Sequence, residues 1–322
     1  MVRIALLATI LSVAASSTWA NPAQWRAEWP KTDFSTTSIS DWSEVISGGP
    51  PKDGIPALTA PTFIPVAQET RIIGREPVMA LEINGAAARA YPLRYLTWHE
   101  IVNDQVGDLH FVVTFCPLCN SGIVFDRRTE RGVLEFGVSG KLRNSDMIMF
   151  DRQTESWWQQ AIGVAIAGEL TGTELRALPA WMESWDSFRA RHPDGLVMDQ
   201  PAYRRDYGRN PYRQYDSSAR PFLFNGELPP HDVPALARVV RVGERAWPLE
   251  RVRRAGRITE AGVTIEWQKG VASALDTSRI AEGRDVGGVR VRDGGGKDVA
   301  HDVIFAFAFH AFWPEGTWML GN

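Results

Sequence analysis

Residues 109–115 are β-branched or aromatic almost throughout, Cys116-Pro117-Leu118-Cys119-Asn120-Ser121 interrupts the run, and residues 122–126 resume it. A helix cannot carry that pattern. Pro117 has no amide donor, and Asn120, Ser121 and Gly122 favour turns. The pattern predicts two buried strands joined by a turn that carries both cysteines. Similar punctuation recurs along the chain. Residues 78–83 read as a strand, Asn84-Gly85 as a hairpin turn in which both positions tolerate positive φ, and residues 88–93 as the returning partner. Residues 96–102 read as one or two helical turns. Residues 133–138 and 147–150 continue the β pattern. Trp181, Met182, Trp185 and Phe188 fall near helical spacing and predict a helix over 179–191, whereas 203–218 has no periodicity and reads as a loop. With 28 glycines, 20 prolines and 13 tryptophans in 322 residues, many short strands and turns are expected in place of a helical bundle. The expected fold class is mainly β (a β-rich α+β chain) with few short helices.

The N-terminus reads separately. Arg3 precedes an apolar run over 4–15, and small residues lead to Thr18-Trp19-Ala20. A short positive region, a short apolar core and a small-x-small site predict a signal peptide over 1–20. The apolar run is shorter than the ~20 residues that span a bilayer. The expected location is exported, most consistent with the periplasm. No second long apolar segment follows, so no membrane span is expected after leader removal. Taking Arg3 from the 35 basic residues leaves 34 against 38 acidic ones, a net charge of −4, and no basic run stands out, so no nucleic-acid partner is expected. Residues 21–77, rich in Pro, Ser, Thr and Trp, read as an irregular lead-in. Arg89-Ala90-Tyr91-Pro92-Leu93 recurs as Arg245-Ala246-Trp247-Pro248-Leu249, each time after a strand and a glycine turn. This short recurrence predicts two related β units, 78–200 and a degenerate 236–322, joined by a linker over 201–235. Only the first unit has cysteine or histidine at the matching place, so any chemistry is assigned to it.

Two cysteines are too few for a disulfide scaffold, but two thiols three positions apart can bind one metal or close on each other. The pair does not open a helix, whose N-terminus would lower a thiol pKa; a turn between strands resembles a metal knuckle. Three chemistries fit: a soft-metal site, copper or zinc, completed by His99; a redox-active or structural disulfide, as in a thiol-disulfide oxidoreductase; and a nucleophilic cysteine assisted by His99. His110 stands six residues before Cys116, about 20 Å along an extended strand, so His99 is the expected ligand, with Glu100 and Asp104 next in line. Met147 and Met149 share a strand face, and two thioethers suit Cu(I); ordinary core packing is the alternative for that pair. Ser139, Asp151, Thr154, Ser156 and Gln159 lie in a polar, aromatic-framed stretch that reads as a pocket wall or as a turn capped by its own side chains. Residues 294–296 are a flexible turn, not a phosphate loop, and neither a serine nucleophile elbow nor a paired-histidine metal motif occurs. A non-catalytic partner-binding module, with tryptophans lining a groove, is a further functional class.

Several stretches resemble a bacterial family of unknown function, domain of unknown function 3179. They are Arg89-Ala90-Tyr91-Pro92-Leu93, His99-Glu100-Ile101-Val102-Asn103-Asp104, Thr114-Phe115-Cys116-Pro117-Leu118-Cys119, Phe136-Gly137-Val138-Ser139-Gly140, Asp151-Arg152-Gln153-Thr154-Glu155-Ser156-Trp157 and the run 305–313. The resemblance implies that His99, Cys116 and Cys119 belong to a shared motif; it implies no activity.

Overall fold

In a computed structural model, residues 22–321 are described; the expected signal peptide, 1–20, lies outside the described residues. Among the described residues the chain is mainly β, 36% strand and 15% helix, with five small sheets of three to five strands arranged as a β-propeller beside one two-stranded ribbon, and four α-helices of seven residues each, α1 (Leu93–His99), α2 (Trp185–Arg191), α3 (Leu249–Ala255) and α4 (Ala306–Phe312).

Two of the sheets carry the site. In the first, Ile101–Val106, Leu109–Cys116 and Ser121–Asp126 form an antiparallel meander. Phe111, Val113 and Phe115 on one side, and Val112 and Cys116 on the other, are buried in separate apolar clusters, so both faces are covered and the run shows no polar alternation. In the second, Phe136–Arg143 pairs with Asp146–Asp151, which pairs with Trp157–Gln159. The register of the first of these pairs shifts between Val138 and Lys141. At this bulge Gly140 has φ +72, and a Cβ there would meet the Pro50 carbonyl oxygen at 2.0 Å.

The lead-in is more ordered than its composition suggests. Val45–Ser47, Leu58–Thr59 and Phe63–Pro65 each extend a different sheet. Trp25, Trp29 and Phe34 pack around Trp157, with ring centroids 5.0–5.2 Å apart. The helix expected over 179–191 begins later: Trp181–Ser184 is a strand paired with Pro77–Leu81. Ser184 then caps α2 by accepting the Ser187 amide at 3.2 Å, so sheet pairing overrides the helical spacing of Trp181.

The two-unit architecture is corrected. Both copies of the recurring segment do occupy the second strand of a hairpin, end it at a proline and lead into a helix. That local likeness does not divide the molecule into two β units, because the sheets interlock across the chain. The amide of Phe305 donates to the Cys119 carbonyl (2.9 Å), Asn120 donates to the Val303 carbonyl (2.8 Å), and the Ser121 hydroxyl donates to Asp302 (3.0 Å). The strand Asp302–Phe305 thereby seats the cysteine turn.

Gly140→Ala is expected to lower stability by roughly 2 kcal/mol or more, since alanine disfavours this φ and its methyl meets backbone that cannot rotate away. Urea unfolding of both proteins checks this; an unchanged midpoint would show that the bulge is not fixed by its contact with Pro50.

Candidate metal centre

Cys116 closes the strand Leu109–Cys116, and Cys119 lies in the turn that follows. The Cys119 amide donates to the Cys116 carbonyl at 3.2 Å, and Asn120 takes φ +52 to bring the chain back. The expected turn between strands is therefore present, and both cysteines are free and buried. Across the sheet boundary, Asn144 and Ser145 both have positive φ (51° and 65°). They make a two-residue hairpin turn between Arg143 and Asp146, the geometry that matches strand twist. That turn aims Asp146 at the cysteines. One ligand atom from each of Cys116, Cys119 and Asp146 lies within 4.8 Å of the other two, and the Cys116 thiol lies 3.9 Å from the Ser145 carbonyl.

Asp146 is held from behind. Its Oδ2 accepts from Gln159 Nε2 (2.7 Å) and the Ala161 amide (2.9 Å), whereas Oδ1 is buried with no hydrogen-bond partner. Burial raises its pKa to about 6 against those two hydrogen bonds and the adjacent Cys116 and Cys119 thiols, which favour the carboxylate. Glu100 caps α1 with φ +59 and is also buried. The Tyr212 hydroxyl donates to its Oε1 at 3.3 Å, and burial, reinforced by the nearby Asp146, raises its pKa to about 7. Burial pushes both thiols up as well, Cys119 further than Cys116. Among the described residues no cation pairs with Glu100 or Asp146. Lys141 is turned to Glu28 (3.1 Å) and Arg143 to Glu44 (2.7 Å). Cys116, Glu100 and Met147 line a cavity of about 560 Å³ that opens from this group.

The expectation that His99 is a ligand is corrected by its hydrogen bonds. Nδ1 meets the Pro56 carbonyl at 2.7 Å and Nε2 meets the Tyr207 hydroxyl at 2.6 Å. A carbonyl only accepts, so Nδ1 carries the proton and Nε2 accepts from Tyr207. Neither nitrogen has a lone pair left for a metal, and His99 does not join the cysteine–aspartate group. It stitches α1 to the segments that carry Pro56 and Tyr207. Burial lowers its pKa, which suits a neutral structural histidine.

The other predicted residues sort cleanly. Gln159 joins the site through Asp146. Met147 lines the cavity, and Met149 is buried in the same apolar cluster as both cysteines. Asp104 does not join: it pairs with Arg89 and accepts from the Tyr91 hydroxyl at 2.6 Å. Asp151 accepts from the Thr154 amide (2.7 Å) and from Trp158 Nε1 (3.0 Å), and the Thr154 and Ser156 hydroxyls lie 2.8 Å apart. These three cap their own turn and are not a pocket wall. Ser139 accepts from the Lys141 amide at 3.0 Å and fixes the bulge. His110 stands near the opposite end of the Leu109–Cys116 strand from Cys116. Sequence reading passed over Asp146. The signal was the Asn144-Ser145 turn, which places residue 146 first on the returning strand; its approach to the cysteines joins two sheets and has no local signature.

Both carboxylates have raised pKa values, so the folded metal-free protein holds protons that the unfolded chain releases. The stability from that difference is complete below about pH 4, the unfolded range, and is lost as pH rises through about 6 and 7. Metal-free protein is expected to lose on the order of 5 kcal/mol between pH 4.5 and 7.5 through the two groups together, and Glu100→Gln to flatten the slope. Urea midpoints with chelator present measure it; a slope unchanged in Glu100→Gln would remove Glu100 as a cause.

The sequence model of a family described as "Protein of unknown function (DUF3179)" matches residues 52–316. No curated protein and no solved structure matches the chain.

Proposed function

Because this chain belongs to the DUF3179 family, which is described by no activity, we propose a function from the site itself: the protein binds one soft or borderline metal ion through Cys116, Cys119 and Asp146. The observation that carries this reading is the buried Oδ1 of Asp146, which has no hydrogen-bond partner and stands with two thiols within 4.8 Å. Buried carboxylates and thiols without a cation are costly when ionised. A bound divalent ion reverses that cost and ionises the thiols outright. Gln159 and the Ala161 amide supply the orienting hydrogen bonds typical of a ligating carboxylate. Two thiolates with one carboxylate oxygen suit zinc. Copper(I) would favour the thiolates and the Met147 thioether. Three protein ligands leave a coordination position for water, Glu100 or a small molecule from the cavity. The signal peptide expected over 1–20 supports export, and this binding is proposed to take place outside the cytoplasm.

The competing oxidoreductase reading rests on the same cysteine pair. It is less well supported, because burial keeps both thiols protonated and no helix N-terminus lowers either pKa.

Full-length protein is expected to carry about one equivalent of zinc or copper by elemental analysis, with two titratable thiols after metal release. Cys116→Ser, Cys119→Ser and Asp146→Asn each remove a ligand and are expected to weaken binding more than tenfold. Gln159→Leu, which removes only the orienting amide, is expected to weaken it about 10- to 100-fold. His99→Ala is expected to cost stability and leave stoichiometry unchanged. Metal-free protein with a Cys116–Cys119 disulfide, or a mixed-disulfide adduct trapped by one cysteine variant, would sink the metal reading.

A further inference from the structure

The cavity above the cysteines has an asymmetric lining. Its inner end carries Glu100 and Cys116, with Asp146 behind them. Its walls are largely apolar and include Ile55, Val138, Leu142 and Phe222, and its outer wall is the segment 212–223. Three cations line it. Lys141 is paired with Glu28 at 3.1 Å. Arg213 and Arg220 are exposed, and among the described residues neither guanidinium has an ion-pair or hydrogen-bond partner.

Those two arginines sit on a preformed wall. Next to Arg213, Tyr212 is hydrogen-bonded to Glu100, and the Tyr215 hydroxyl donates to the Leu118 carbonyl at 2.8 Å, inside the cysteine turn. Next to Arg220, the Ser218 hydroxyl donates to the Arg220 carbonyl at 2.9 Å, and the Ser145 hydroxyl donates to the Phe222 carbonyl. The segment is therefore tied to the cavity on both sides of Arg213 and, through Phe222, on the far side of Arg220, and the ordering cost of presenting the arginines to a ligand is reduced.

We propose that this cavity binds a small organic acid with an apolar body, its carboxylate paired with Arg213 and Arg220 and its hydrocarbon end directed toward Cys116 and Glu100. The inference deepens the metal reading and rests on it for what the inner end of the ligand meets. The volume, about 560 Å³, lies in the range of small-molecule sites. The orientation follows from charge. Among the described residues no basic side chain pairs with Glu100 or Asp146 at the inner end, whereas the unpaired guanidiniums of Arg213 and Arg220 offer forked donors to a carboxylate at the other wall. The apolar walls favour a hydrocarbon body over a polyol or a nucleotide.

Octanoate is the probe, with 1-octanol as its uncharged counterpart, titrated calorimetrically into full-length protein both metal-loaded and chelator-treated. Octanoate is expected to bind the chelator-treated protein and to bind at least about tenfold more tightly than octanol. Arg213→Ala/Arg220→Ala is expected to lose about tenfold or more for octanoate while octanol is unaffected. Cys119→Ser, which removes a proposed metal ligand that does not line the cavity and leaves the arginines intact, is expected to retain octanoate binding. Far-UV circular dichroism confirms that both variants are folded. No octanoate binding to wild type, equal affinity for octanol, or octanoate binding unchanged in the double arginine variant would each overturn the proposal. A protein that takes up neither zinc nor copper and still discriminates octanoate from octanol through the arginines would leave this proposal standing and the metal reading fallen.

Discussion

The rest of the site depends on one electrostatic circumstance: two carboxyl groups and two thiols are buried together with no basic side chain among them. Water would solvate these groups if it reached them, and an arginine or lysine would neutralise them if the fold supplied one. The neighbouring basic residues are instead engaged outward, Lys141 with Glu28 and Arg143 with Glu44. The metal-free group therefore stays neutral by holding its protons, and the raised pKa values of Glu100 and Asp146 express this. A site built this way exchanges protons for a cation on binding, so affinity and pH are linked through the same four side chains.

The fold supplies this arrangement by joining sequence-distant turns. The cysteine turn is held from the strand Asp302–Phe305 through the Phe305 amide, Val303 and Asp302, while the Asn144-Ser145 turn arrives from another sheet. Beneath the turn, a second buried network carries the opposite balance. Arg238 pairs with Asp216 at 2.8 Å and reaches Asn120 at 3.4 Å, and Ser273 shares the same carboxylate. Asp216 immediately follows Tyr215, which binds the Leu118 carbonyl. The turn is thus fixed on both sides by segments far from it in sequence. This explains why a four-residue turn rich in poor helix formers can hold two thiols in place without a disulfide.

What the sequence made legible was local. The strand-turn-strand around Cys116 and Cys119, the hairpin ending at Pro92 and the irregular course of 203–218 all follow from residue types whose preferences act over a few positions. The misreadings have a common cause. His99 looked available because a histidine's partners, here Pro56 and Tyr207, lie 43 and 108 residues away. For Asp151 and Thr154 the sequence left a pocket wall and a self-capped turn both open, and their mutual hydrogen bonds decide for the turn. Trp181 lay near helical spacing and was taken by the sheet edge of Pro77–Leu81. The recurring Arg-Ala-aromatic-Pro-Leu segment reported a hairpin and the helix after it, not the hydrogen bonds that tie the sheets to one another across the chain.

The neutral state of the thiols also constrains what chemistry the site can perform. A thiol-disulfide exchanger needs a thiolate at working pH and an accessible sulfur, whereas Cys119 is fully buried and has the higher thiol pKa of the two. The sulfur nearer to solvent is Cys116, which lines the cavity, and its pKa is raised too. Lowering both values together takes a positive charge placed between them, and no side chain among the described residues provides it. A metal ion does so without moving the backbone, because the unpartnered Oδ1 of Asp146 already points into the same space. The cavity then gives the ion one face toward solvent, with the apolar walls limiting what reaches it. Ion binding and ligand selection are in this way two consequences of a single burial pattern.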